Sequence, residues 1–298
     1  MRTSYECIPC LLQSIIRLFK NNLIKEDKRE IIIKKILEDL AKESLDCSPP
    51  AIAQKMYGII KKETENEDPY KAIKRKYNKL CLGIYEKLKN KVKNNKKPMY
   101  EALKLSIVGN IIDFGPNHSF SLIEKVAELE NINLRVDDSK NLFNDIKNAR
   151  SILFLGDNAG EIVFDRLFLE TINHPNVIYA VRGMPILNDS TKEDASVCGM
   201  NKLVKVIDTG TDFPGIDLEQ SSSEIKNVYK DADLIIAKGH GNYESLCEVI
   251  NKKIYFLLIA KCDLVAKQLG VKKDDIVAVS NNGIYKSNLN TKKCKKTD

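Results

Sequence analysis

Apolar positions in the first hundred residues recur every three to four places. Ile32, Ile36 and Leu40 mark one helical stripe within residues 28–43. A helix should end before Ser48-Pro49-Pro50, because proline disfavours helical geometry in the residue ahead of it. Further helices are predicted over 51–63 and 70–90, separated by Asp68-Pro69-Tyr70, and the polar stretch from Lys93 to Pro98 reads as a linker or loop. After about residue 150 the pattern changes to short continuous apolar runs: SILFLG (151–156), VIYAVRG (177–183), LVKVIDTG (203–210), DLIIAKG (233–239) and IYFLLIAK (254–261). Each has the length of a buried strand, and helical stretches separate them. The alternation predicts strand–helix units around a mostly parallel sheet covered on both faces. A final run, DIVAVSNNGIYKS, predicts a hairpin turning at Asn282-Gly283. The fold class expected is α/β, a three-layer α/β/α domain over 101–298 behind an N-terminal helical domain over 1–100.

Composition narrows the function. Hydrophobic residues make up 43% and charged residues 30% of 298, an ordinary soluble balance. No apolar run is long enough to span a bilayer, so no membrane partner is expected. The opening segment MRTSYECIPCLLQSIIRLF has little basic flank and no small-residue cleavage site, which predicts a cytoplasmic protein without a signal peptide. The net charge of +7 raises the question of nucleic acid. The lysines, however, are interleaved with Glu and Asp, as in KREIIIKKILEDLAKE, the pattern of solvated helix faces. The denser basic runs at Lys89–Lys97 and TKKCKK lack aromatics that could stack bases. No nucleic-acid partner is expected, and the positive field suits small anionic substrates instead. Eight cysteines scattered along the chain read as reduced thiols. Only Cys7 and Cys10 form a CxxC, half of a zinc site without an obvious second pair; they are structural thiols, part of a second metal site, or a redox pair.

The chemistry should lie where the strands end, since ligands of open parallel sheets bind outside the carboxyl ends. SILFLG runs into Asp157-Asn158-Ala159-Gly160-Glu161. Asp and Asn oxygens are hard ligands suited to a divalent cation, and exposed N–H groups at the following helix start favour an anion. A plain helix cap accounts for the same residues. VIYAVRG brings Arg182, able to clamp a phosphate or to make a surface ion pair, and Asn188-Asp189-Ser190-Thr191 supplies a second acid. If the two strands are neighbours, Asp189 can meet Asp157. Lys238-Gly239-His240-Gly241-Asn242 places a lysine and backbone N–H groups where a phosphoryl oxygen could sit, without Walker spacing. His240 has no histidine partner at zinc spacing. Asn110 and Asp113, three apart in SIVGNIID, would share a helix face and could reach a site.

Several of these motifs, in order, resemble the damage-control phosphatases. The resemblance covers nearly the whole chain: CIPC, DPYKAIKRKYN (68–78), SIVGNIIDFG (106–115), GDNAGEIVFDR (156–166), RGMPILNDST (182–191), KGHGNYE (238–244) and Lys261-Cys262. The CxxC and the Lys-Gly-x-Gly-Asn form look like the archaeal and prokaryotic-type branch. The resemblance implies a helical domain packed on an α/β/α domain, and phosphatase activity on small phosphorylated metabolites such as sugar phosphates. It implies a divalent metal (Mg²⁺, Mn²⁺, Co²⁺ or Ni²⁺) held at Asp157, Asn158 and Asp189, with Asp157 and Lys238 catalytic and Lys238 near the substrate phosphate. Asn110, Asp113, Glu161, Arg182 and Asn242 follow as pocket residues. Asp157 would orient or deprotonate water, or itself attack phosphorus. Two other readings compete: a methyltransferase using S-adenosylmethionine, suggested by the loop after SILFLG but lacking its glycine pattern, and a non-catalytic metal- or nucleotide-binding protein.

Overall fold

The computed structural model describes residues 1–109 and 133–283; Asn110 and Asp113 lie outside the described residues. Three N-terminal helices, α1 (Cys7–Lys20), α2 (Glu26–Leu40) and α3 (Pro49–Thr64), close around their own apolar cluster. Ile15, Leu18, Ile32, Ile36, Ile52, Met56 and Ile60 fill it, joined by Ile186 from the α/β part of the chain. The Pro49-Pro50 pair opens α3, where a missing N–H costs nothing and proline's fixed φ suits the first turn. Two further helices, α4 (Lys71–Lys93) and α5 (Pro98–Val108), put Cys81, Tyr85, Leu88, Leu103 and Ile107 into the core that covers the sheet.

The sheet has seven strands: β1 (Val136–Asp137), β2 (Ile152–Leu155), β3 (Val177–Val181), β4 (Lys205–Asp208), β5 (Leu234–Lys238), β6 (Ile254–Ile259) and β7 (Ile276–Ser280). Their order is β1-β7-β6-β5-β2-β3-β4, parallel throughout except for β6 against β7. Side chains alternate as a two-residue period requires. Ile152 and Phe154 of β2 face the layer of α4, α5, α6 (Ser139–Asn148) and α7 (Glu161–Ile172). Leu153 and Leu155 face α9 (Ser223–Asp231), α10 (Gly239–Leu246) and α11 (Asp263–Leu269). A short α8 (Lys192–Val197) follows β3. The result is the α/β/α sandwich expected from the strand–helix alternation.

The predicted hairpin turn at Asn282-Gly283 does not form, and the run after it lies outside the described residues. Residues 281–283 are helical, and β7 pairs with β6 instead. Ser280 Oγ accepts the Gly283 N–H at 3.1 Å and so caps a helix start. The Asn281 side chain donates to the carbonyls of Val249 and Lys252 and accepts the Ile254 N–H, which ties the strand end down. Among the described residues no helix is long and apolar enough to cross a membrane.

Candidate metal and phosphate site

Strand order reverses around β2, which has β3 on one side and β5 on the other. The crevice beyond those three strand ends is where a doubly wound sheet offers a binding site. There the loops after β2 and β3 are stitched together. Asn158 and Asp189 form an isolated antiparallel bridge. The Ala159 N–H donates to Asn188 O at 2.9 Å, the Ser190 N–H to Asp157 O at 2.7 Å, and Ser190 Oγ to the same carbonyl at 3.0 Å. Asp157, Asn158 and Asp189, chosen from separate motifs, therefore share one site.

The side chains have specific partners. Asn158 Nδ2 donates to Asp157 Oδ2 at 2.8 Å and to Glu161 Oε2 at 3.1 Å. Both neighbours of that end are carboxylates, which accept only, so the amide is turned with its carbonyl oxygen away from them. Arg182 is 1% exposed; its Nε donates to Asp189 Oδ2 at 2.6 Å and its Nη1 to Asn242 Oδ1 at 3.4 Å. Arg182 Nη2 has no hydrogen-bond partner among the described residues and lies 3.6 Å from Asp157 Oδ1. Asn242 spends its own Nδ2 on Gly156 O (3.1 Å) and Lys238 O (2.8 Å), so it braces Arg182 from behind and joins the ends of β2 and β5.

Burial, and then the charges of Asp189 and Glu161, push the Asp157 carboxyl up to about 7, against the pull of Arg182 and Lys261. Asp189 is also raised, by burial, with Arg182 acting the other way. The residue types fit a hard divalent cation: two carboxylates in mutual repulsion, and an amide oxygen turned away from its carboxylate neighbours, with the Arg182 guanidinium beside both acids. Among the described residues no group of three or more His, Cys, Asp or Glu is arranged around a metal position. The candidate set draws its third oxygen from an asparagine.

Lys238 stands elsewhere than the sequence suggests. It ends β5 on the face toward α5 and α7 and is fully buried. Its three donors go to Ser106 O (2.8 Å), Glu161 Oε1 (2.5 Å) and Asp165 Oδ1 (2.6 Å). Burial works against its charge, but Asp165 and Glu161 outweigh that and hold the ammonium above its ordinary value. None of its N–H groups is left for a substrate. The glycines of this motif have steric reasons. Gly239 has φ +75°, and a Cβ there would lie 2.0 Å from Asp157 Oδ2; a Cβ on Gly241 would lie 2.0 Å from Pro214 O. His240 accepts the Lys261 N–H on Nε2 at 2.8 Å, and burial together with Lys261 lowers it to about 3. It is a neutral tie between loops.

Cys7 and Cys10 begin α1, Cys7 half-buried and Cys10 exposed, and both are free thiols. Burial raises the Cys7 thiol, and the ionisable groups acting on it are Glu244, Cys10 and Glu6.

Three residues had no role assigned from the sequence. Asp165 lies four places after Glu161 on a helix that is otherwise apolar at its buried positions, a spacing that puts both carboxylates on one face. Asn78 donates to Asp194 Oδ1 at 2.7 Å and accepts the Gly160 N–H at 2.6 Å. With Lys74, which pairs Asp68 at 2.7 Å, it explains the DPYKAIKRKYN motif as the strut between α4 and the start of α7. Lys261 is exposed just after β6, and its charge is felt at Asp157. A strand-end lysine was the available signal.

The family described as damage-control phosphatase ARMT1-like domain matches residues 3–277. A damage-control phosphatase of Pyrococcus horikoshii is 37% identical over 290 residues, covering 94% of this chain and 99% of the relative. One from Archaeoglobus fulgidus is 31% identical over 294 residues, covering 93% and 99%. The crystal structure of a DUF89 family protein from Pyrococcus horikoshii superposes with a TM-score of 0.86 at 35% identity, covering 94% of this chain and 99% of that one. With a family match over most of its length and relatives above 30% identity on the same fold, the chain belongs to the damage-control phosphatase ARMT1-like family.

Proposed function

We propose that this chain is a cytoplasmic metal-dependent phosphatase that hydrolyses phosphate monoesters of small metabolites, with the cation held by Asp157, Asn158 and Asp189. One observation carries the reading. The bridged loops after β2 and β3 bring Asp157, Asn158 and Asp189 together at the reversal point of the sheet, beside a buried arginine that pairs with both carboxylates. The names of the relatives, damage-control phosphatases, support a phosphatase activity.

A bound divalent cation would neutralise phosphoryl oxygen charge and polarise the phosphorus. The protein does the rest. Arg182 is held by Asp189 and Asn242, so its buried guanidinium is fixed in direction beside Asp157 and lends positive charge to the crevice. Lys261, exposed at the end of β6, adds positive charge at the same crevice and draws anionic substrates toward it. Lys238 acts indirectly, through Glu161. Asp157 is placed by its backbone carbonyl, which Ser190 grips twice, and by the Gly239 backbone pressed against its carboxylate.

The test is Mn²⁺ binding to chelator-treated protein, read by electron paramagnetic resonance. The expected result is one tight site in the wild type that Asp189→Ala removes while the far-ultraviolet circular dichroism is kept. Equal binding by the folded variant would place the metal elsewhere.

A further inference from the structure

Behind the candidate metal ligands lies a buried chain of charged side chains. Asp165, on α7, is fully buried. Its Oδ1 accepts from Ser106 Oγ at 2.6 Å and from Lys238 Nζ at 2.6 Å, and its Oδ2 accepts from Tyr179 OH at 2.8 Å. Lys238 passes the contact on to Glu161 Oε1. Glu161 Oε2 in turn accepts from the Asn158 backbone N–H at 3.3 Å and from Asn158 Nδ2 at 3.1 Å. The connected order is Tyr179, Asp165, Lys238, Glu161, Asn158.

Stability alone gives no reason for such a chain. Removing two carboxylates and an ammonium from water is costly, and well-packed apolar side chains at such sites are often as stable or more so. What the chain provides is orientation. Lys238 has three acceptors and three donors, so its position is fixed, and it pins Glu161 Oε1. With Oε1 pinned, Oε2 is held where it captures the Asn158 amide N–H groups, which turns the asparagine oxygen away from Glu161.

We propose that Asp165 is a positioning residue for the phosphatase: by holding Lys238 over Glu161 it sets the orientation of Asn158 toward the metal. The inference rests on the reading that Asn158 is a metal ligand. Groups standing behind metal ligands typically change metal affinity by about 10–100-fold when removed. Asp165→Asn should therefore weaken Mn²⁺ binding by roughly that factor. At saturating Mn²⁺, kcat should return to within a few-fold of wild type, since no group near the substrate has been removed.

The experiment titrates Mn²⁺ into chelator-treated wild type, Asp165→Asn, Tyr179→Phe and Ser106→Ala, with binding read by electron paramagnetic resonance and folding by thermal melt. The two milder variants each remove one hydroxyl from Asp165, and each should shift affinity in the same direction by less. Melting temperatures lowered with Mn²⁺ affinity unchanged would make Asp165 a structural residue only and overturn the proposal. Should Asp165→Asn fail to fold, wild-type affinity in both hydroxyl variants overturns it equally. Absence of Mn²⁺ binding by wild type would instead remove the reading of Asn158 as a ligand, an outcome distinct from the other two.

Discussion

Gly239→Ala is the most exposed consequence of the site geometry. The residue has φ +75°, where an L side chain costs about 1–2 kcal/mol in backbone strain. The added Cβ would also fall 2.0 Å from Asp157 Oδ2 and 2.5 Å from its Cγ. Real Cβ contacts do not approach closer than 3.0 Å, so the carboxylate must move by about 1 Å. A misplacement of that size at a reacting centre costs on the order of 10²-fold in rate. Gly270 supplies the control: its φ is +67°, and a Cβ there meets nothing within 4 Å. Gly270→Ala carries the same strain without touching the site. The assay is phosphate release with added Mn²⁺, paired with urea denaturation of both variants. Both should lose about 1–2 kcal/mol of stability from the backbone, but only Gly239→Ala should lose about a hundredfold in activity. Activity of Gly239→Ala within a few-fold of Gly270→Ala would refute the claim that Asp157 is held in a working position by that backbone.

Three further outcomes follow from the same geometry. Lys238→Met leaves Glu161 and Asp165 as buried, uncompensated carboxylates, and should cost about 3–5 kcal/mol in urea denaturation; unchanged stability would contradict the buried ion cluster. Lys261→Ala removes an exposed charge from the crevice, and should leave the melt unchanged while lowering kcat/KM by about tenfold or more; an unchanged kcat/KM would remove Lys261 from the account. His240, held at about 3 by burial and Lys261, lies below the free imidazole value, so protonation opposes folding. Its contribution is complete above about pH 6.5 and is lost as pH falls toward the folded value. Nuclear magnetic resonance of the His240 ring should show no titration between pH 8 and 5, and a midpoint near 6.5 would refute the depressed value.

The sheet was legible because buried parallel strands are continuous apolar runs, and each of the five runs after residue 150 became a strand. The site was legible in part, because the topology of such sheets sends chemistry to strand ends. Asp157, Asn158, Arg182 and Asp189 meet there as their positions after β2 and β3 suggested. Lys238 shows where the reading stopped. Its place at a strand end looked open to ligand, yet the two-residue alternation of β5 turns it with Leu234 and Ile236 into the α5 and α7 layer. Asp165 was missed for a related reason: a carboxylate inside an apolar helix face signals a buried partner, but the partner came from a strand 73 residues away. Asn282-Gly283 misled because a dipeptide common in hairpins was overruled by the Ser280 cap and the buried Asn281 side chain.

The central claim, a metal-dependent phosphatase built on Asp157, is tested most directly by phosphate release. Chelator-treated protein is offered a panel of sugar phosphates and an aryl phosphate, with Mg²⁺, Mn²⁺, Co²⁺ or Ni²⁺ restored in turn, alongside Asp157→Ala. The account predicts release that appears only with metal and is absent from the folded variant. Release that survives chelation, or that Asp157→Ala retains, would contradict it; no release from any ester with any metal would point to an inert binding protein or a methyltransferase instead.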